Sequence, residues 1–127
     1  MRFPNKLDVL KAHARLIQET GGNVGIRDEA LLESALAAAE NRHIYEDADL
    51  AACAATYAYH LTQAHAFLDG NKRIGAAITE TFLESNGARL ELTDGEVVRL
   101  FMGIATGLLS RDEVERFLRT KITEGSN

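Results

Sequence analysis

Apolar residues recur three and four positions apart along almost the whole chain, the spacing of one helix face after another, and clear strand alternation is absent. Leu7, Leu10, Ala14 and Ile17 predict a first helix, which Gly21-Gly22 ends by supplying a permissive C-cap. Asp28 is placed to cap a second helix, with Leu31, Leu32, Ala35, Leu36 and Ala39 as its buried face. The polar stretch Asn41 to Tyr45 breaks that pattern and is expected to be an exposed connection. Leu50, Cys53, Ala54, Tyr57, Ala58 and Leu61 form a third stripe, rich in alanine, as a central helix with close neighbours requires. A fourth helix follows Gly70, with Ile74, Ala77, Ile78, Thr81 and Phe82 on one face and Gly87 near its end. Thr93-Asp94-Gly95-Glu96 and Ser110-Arg111-Asp112-Glu113 match capping boxes. They open a fifth helix through Val97, Leu100, Phe101 and Ile104 and a sixth through Val114, Phe117 and Leu118. Glu124 to Asn127 reads as a fraying tail. The expected fold is all-α: six helices in one bundle, with a loop of unusual composition between the third and fourth.

Composition narrows the class without changing that picture. The 127 residues suit one domain, residues 1–127, without a linker or internal repeat. With 46% hydrophobic and 26% charged residues, the chain reads as an ordinary soluble globular protein. Its one cysteine, Cys53, excludes an internal disulfide and fits a reducing compartment. No apolar run approaches the roughly 20 residues that cross a bilayer, and no secretory signal is visible, so a cytoplasmic protein without membrane contact is expected. A net charge of −5 argues against direct nucleic-acid binding through bulk electrostatics. A local phosphate site is untouched by that argument, since one loop can be cationic on an acidic protein.

The loop His65-Ala66-Phe67-Leu68-Asp69-Gly70-Asn71-Lys72-Arg73 carries the candidate chemistry. A glycine at a helix start lets several N–H groups point at one spot, and the helix terminus adds partial positive charge that suits a phosphate. Lys72 and Arg73 stand in the first turn, where the macrodipole disfavours cations unless an anion faces them. Asp69 is a hard oxygen ligand that could hold Mg²⁺ bridging phosphate oxygens. His65 can titrate near neutral pH and take a proton from a hydroxyl, while Phe67 is expected to anchor the loop in the core. Taken singly, each feature has an ordinary explanation: a capping histidine, an Asp-Gly turn, a solvated Lys-Arg pair. Their convergence on nine residues at one helix start is what gives the site weight.

The same nine residues resemble the Fic/Doc signature, His-x-Phe-x-Asp/Glu-Gly-Asn-x-Arg. Gly25-Ile26-Arg27-Asp28 and Leu31 to Leu36 also look like the N-terminal half of death-on-curing (Doc) toxins, so the resemblance covers most of the chain. It implies His65 as general base for a protein hydroxyl and Asp69 as the Mg²⁺ ligand. Gly70 and Asn71 would form the phosphate nest, with Lys72 and Arg73 supplying charge and ATP as the nucleotide. Asn71-Lys72-Arg73 is similar to the Asn-Lys-Arg of Doc proteins rather than the Asn-Gly-Arg of adenylyl-transferring Fic enzymes. In Doc toxins that lysine goes with transfer of the γ-phosphate, the best-known target being a threonine of elongation factor Tu, whose modification stops translation. The polar connection Glu40 to Asp47 falls where the family has a flap that holds an extended target peptide. Two departures stand out. Ile74-Gly75 replaces the frequent Thr-Ala, with Gly75 lowering helix stability to no evident end, and Ala76 replaces the second arginine of adenylylating enzymes.

The resemblance therefore implies a toxin kinase, with a Fic-type adenylyl or nucleotidyl transferase and a catalytically silent antitoxin-binding module as the alternatives. A metal hydrolase using His60, His65 and Asp69 is disfavoured, because residues five apart on a straight helix point about 140° from one another. Thr120 to Gly125 formally fits the self-inhibitory Ser/Thr-x-x-x-Glu-Gly/Asn motif. Its glutamate would need the arginine that Ala76 replaces, so inhibition is expected from a separate antitoxin, a short and partly disordered chain.

Overall fold

The computed structural model describes residues 1–125. Six helices form the body: α1 (Lys6–Thr20), α2 (Glu29–Glu46), α3 (Leu50–Gln63), α4 (Asn71–Ser85), α5 (Asp94–Ala105) and α6 (Arg111–Arg119). The fold is all-α, with one addition the sequence pattern did not indicate. Strand β1 (Ala88–Leu90) pairs antiparallel with β2 (Ile122–Glu124), Ala88 opposite Glu124 and Leu90 opposite Ile122. Three residues a side are too few for alternation to register, which is why the ribbon is invisible in the sequence. Glu124 is thus held in a strand, not in a fraying tail. Of that expected tail, Ser126 and Asn127 lie outside the described residues.

Helix α3 is the centre of the body, with ten of its fourteen residues buried against α2, α4, α5 and α6. Its alanines keep the surface flat, so its neighbours come close. The lone thiol, Cys53, is fully buried there, and desolvation pushes it up to about 11. On the other side of α3, Gly75 of α4 explains itself: a Cβ built there would stand 2.4 Å from the Thr62 hydroxyl oxygen. The residue that lowers helix stability is the one that lets α3 and α4 touch.

Helix ends follow the expected chemistry. Asp28 accepts from the Leu31 N–H, and both capping boxes, at Thr93 and Ser110, close reciprocally. Some faces differ in detail. The buried stripe of α1 is Val9, His13 and Ile17, four residues apart, whereas Leu7 and Ala14 are exposed. Leu31 and Thr81 also face outward.

The largest correction concerns residues 40–47. The stretch Asn41 to Tyr45 is not a connection, because α2 continues through it to Glu46 and stops at Asp47 in the left-handed conformation. The polar residues there contain no glycine or proline to break the helix, and Arg42 has partners: it donates to Thr56 Oγ1 at 2.8 Å and pairs with Glu115 at 3.4 Å. The extended segment of this protein lies elsewhere, between α1 and α2 at residues 21–28.

Candidate active site

Helix α3 ends at Gln63 with Ala64 as its C-cap, and the next six residues form a loop fastened on two sides. On one side it pairs with the extended segment. Arg27 and Asp28 N–H groups donate to the Ala66 carbonyl at 2.7 and 3.0 Å, Leu68 N–H donates to Gly25, and Ile26 bridges to Phe67. The Arg27 side chain adds a bond from Nε to the His65 carbonyl at 2.7 Å. On the other side the Asn71 amide closes a ring with Phe67, accepting from its N–H and donating to its carbonyl, both at 3.1 Å. Phe67 is buried, as expected, and His65 is exposed beside it in a left-handed conformation (φ 49°) that costs about 1 kcal/mol. A tethered loop holds His65 in a strained and solvent-open pose.

Among the described helices, α4 alone begins without a side-chain cap. Asn5, Asp28, Asp49, Thr93 and Ser110 cap the other five, whereas Gly70 (φ 76°, ψ 21°) offers no side chain and the first turn contains no acid. A helix start with unsatisfied N–H groups and two cations is arranged for an anion. Asp69 stands at its edge. Its Oδ1 accepts from Gly70 N–H at 2.9 Å and approaches Arg73 Nη2 at 3.5 Å, while Oδ2 accepts no hydrogen bond among the described residues. A Cβ at Gly22 (φ 119°) would come within 2.5 Å of that Oδ2, so a side chain there would strain the backbone and push the carboxylate aside.

His65, Asp69, Gly70, Asn71, Lys72 and Arg73 line one cleft of about 500 Å³, with Thr62, Leu68 and Ala105 completing the wall. That volume lies within the range of small-molecule sites. A single carboxylate with a free oxygen beside an anion nest fits Mg²⁺ carried in on a substrate's phosphates better than a cage of protein ligands. The two cations are not equally free. Arg73 Nη1 donates to the Thr20 hydroxyl and the Gly21 carbonyl, tying the guanidinium to the end of α1. Lys72 Nζ lies 3.7 Å from Met102 Sδ and is exposed on the side toward α5. The Asn71 side chain is engaged with Phe67 in holding the loop, so any part that Asn71 takes at the helix start falls to its backbone N–H. His60 is outside the group, its Nε2 facing Arg111 Nη1 at 3.2 Å, and burial and that guanidinium hold its pKa low.

The cleft is the one found at the Fic/Doc signature, and a family model described as the Fic/DOC family matches residues 4–83. The chain belongs to the Fic/DOC family. No curated protein matches it at a comparable level. The match includes α1 to α3 and most of α4, and with them His65 and Asp69 to Arg73, and members of this family are nucleotide-dependent transferases. Among the described residues, no helix of this Fic/DOC protein is long and apolar enough to cross a membrane.

Three contributors escaped the sequence reading: His13, Gly22 and Thr20. His13 carried a signal, since it occupies the middle of the Val9–Ile17 stripe, where a polar ring needs a partner. Gly22 and Thr20 gave none, because their roles depend on a contact with residues some fifty positions away. The self-inhibitory pattern at Thr120 to Gly125 also resolves. Glu124 pairs at Ala88, beyond the C-terminal end of α4, and the 15 residues of that helix separate it from Arg73 by about 20 Å.

Proposed function

We propose that this protein transfers the γ-phosphate of ATP to a hydroxyl of a target protein, as a Doc-like toxin whose target is a threonine of elongation factor Tu. The observation that carries the reading is Lys72 in an uncapped first turn, four residues before Ala76. A nest for a closely bound diphosphate wants glycine at position 72 and a second arginine at position 76. A flexible ammonium there neutralises a terminal phosphate as a point charge.

In this reading the target hydroxyl gives its proton to the His65 imidazole as its oxygen attacks the γ-phosphorus. The bond from that phosphorus to the β–γ bridging oxygen breaks, and ADP leaves. The first-turn N–H groups of α4 with Lys72 and Arg73 hold the phosphate oxygens, and the transfer needs mainly positioning and charge neutralisation. Asp69 Oδ2 would hold Mg²⁺, which spreads the charge of the phosphate oxygens when bound. The target's backbone would run beside residues 21–28, the extended segment already paired with the loop, and not beside residues 40–47, which are helical. A short antitoxin folding on binding would supply the inhibition that Glu124 is too distant to provide.

Incubation with bacterial lysate and ATP labelled separately at the α and γ positions tests this. Label from the γ position is expected on a protein of the size of elongation factor Tu, with none from the α position. Lys72→Gly is expected to weaken the γ transfer. Transfer of the α label alone would make the protein an adenylyl transferase and overturn the reading of Lys72.

A further inference from the structure

Helix α1 contributes one residue that no part of the signature requires. His13 is 2% exposed, lies flat on Phe67 (ring centroids 3.8 Å apart, 11° between planes), and places Nε2 at 2.7 Å from the Asp69 carbonyl oxygen. A carbonyl only accepts, so the ring nitrogen that faces it carries the proton and donates. We propose that His13 is a positioning residue for the phosphate and Mg²⁺ site, fixing through this bond where the Asp69 carboxylate stands; this rests on the proposed phosphotransfer only for what the carboxylate is used for.

The Asp69–Gly70 peptide is held at both of its polar atoms. Its carbonyl accepts from His13, and its N–H donates to Asp69 Oδ1 at 2.9 Å. Because both bonds belong to one plane, rotating that plane would detach the carboxylate from the amide and swing Oδ2 away from the cleft. Gly70 makes such a rotation cheap, since glycine populates both signs of φ about equally. Gly70 has no side chain to define the turn, and a Cβ there would meet the Ile17 Cδ1 atom at 2.9 Å on a backbone with φ 76°. A donor from another helix, fifty-six residues away in sequence, is the side chain that selects one orientation. An apolar residue would fill the same space on the Val9–Ile17 stripe and leave the carbonyl without its donor.

His13→Phe keeps an aromatic ring against Phe67 and removes the donor, and His13→Gln removes the ring and keeps an amide donor. Phosphotransfer by both is measured against Mg²⁺ concentration, with circular dichroism to establish folding. His13→Phe is expected to need about 10- to 100-fold more Mg²⁺ for half-maximal rate, the usual cost of losing a group behind a metal ligand, and His13→Gln to recover most of it. A folded His13→Phe protein with the wild-type Mg²⁺ dependence overturns the proposal. NMR decides the matter independently of activity. The wild-type ring is expected to carry a slowly exchanging Nε2 proton, coupled across the bond to the Asp69 carbonyl carbon, whether or not His13→Phe folds. In a folded His13→Phe, the Gly70 amide and Asp69 carboxyl carbon are expected to shift while α6 amides do not. A wild-type ring without a proton on Nε2 overturns the proposal. Failure of the wild type to transfer either label instead removes the phosphotransfer reading and leaves the NMR result to judge His13.

Discussion

His65, the base of the proposed transfer, combines two properties: it is solvent-open, and its backbone is locked in a left-handed turn by Arg27 on its own carbonyl. The lock costs about 1 kcal/mol of backbone strain and is held by hydrogen bonds from a segment outside the signature. Because the imidazole itself packs against little, His65→Ala is expected to keep the helical circular dichroism and thermal midpoint of the wild type. Transfer of the γ label should fall by roughly 10²- to 10⁴-fold, the range for loss of a general base. A folded His65→Ala with undiminished transfer would remove the imidazole from the chemistry.

At the level of elements, what the sequence announced and what it concealed divide by range. The N-caps at Asp28, Thr93 and Ser110 were legible because a cap acts on an N–H two or three residues away. The nine-residue loop was legible for the same reason, its glycine, acid and cations all addressing one helix start. The continuation of α2 through Asn41 to Glu46 was not, because the partner that makes Arg42 acceptable there is Glu115, seventy-three residues on. The β1–β2 ribbon and the His13 bond are long-range in the same sense. Gly75 shows the principle most sharply: from sequence it is a defect in α4, and only the Thr62 hydroxyl at 2.4 Å from its missing Cβ gives it a purpose. Gly75→Ala should therefore destabilise despite alanine's better helix propensity. Overpacking of this kind costs about 1–3 kcal/mol, to be read from the urea midpoint. Thr62→Ala should relieve much of that penalty in the double variant, while additive losses would show that the two helices do not compete for this space.

At the scale of the molecule, α6 is held to α2 and α3 by an acid–base network on the surface. Arg119 makes a two-bond contact with Asp49, the N-cap of α3, and also pairs with Glu115, which in turn meets Arg42. The Arg119 guanidinium, with the Ala52 N–H, holds the Asp49 carboxyl below the ordinary carboxylate range. A depressed carboxylate contributes stability that is fully present above its unfolded pKa of about 4 and is lost as pH falls through the folded value. Asp49 and Arg119 are both about half exposed, so the contribution is small, at most about 1 kcal/mol for pairs of this kind. Arg119→Gln should lower the denaturation midpoint slightly at pH 7, and the gap to wild type should close as the pH approaches 2. A gap that widened in acid would mean that Asp49 does not titrate as this pairing requires.

Cys53 has a practical corollary for spectroscopy. It is the only cysteine in the chain, it has no exposed surface, and its thiol is pushed up to about 11. At pH 7 to 8 a maleimide dye would pass it over while the protein stays folded. A cysteine introduced at Leu68, 56% exposed on the wall of the cleft, would then be labelled alone in an otherwise native sequence. One fluorophore could report nucleotide arrival at the loop without any prior removal of thiols.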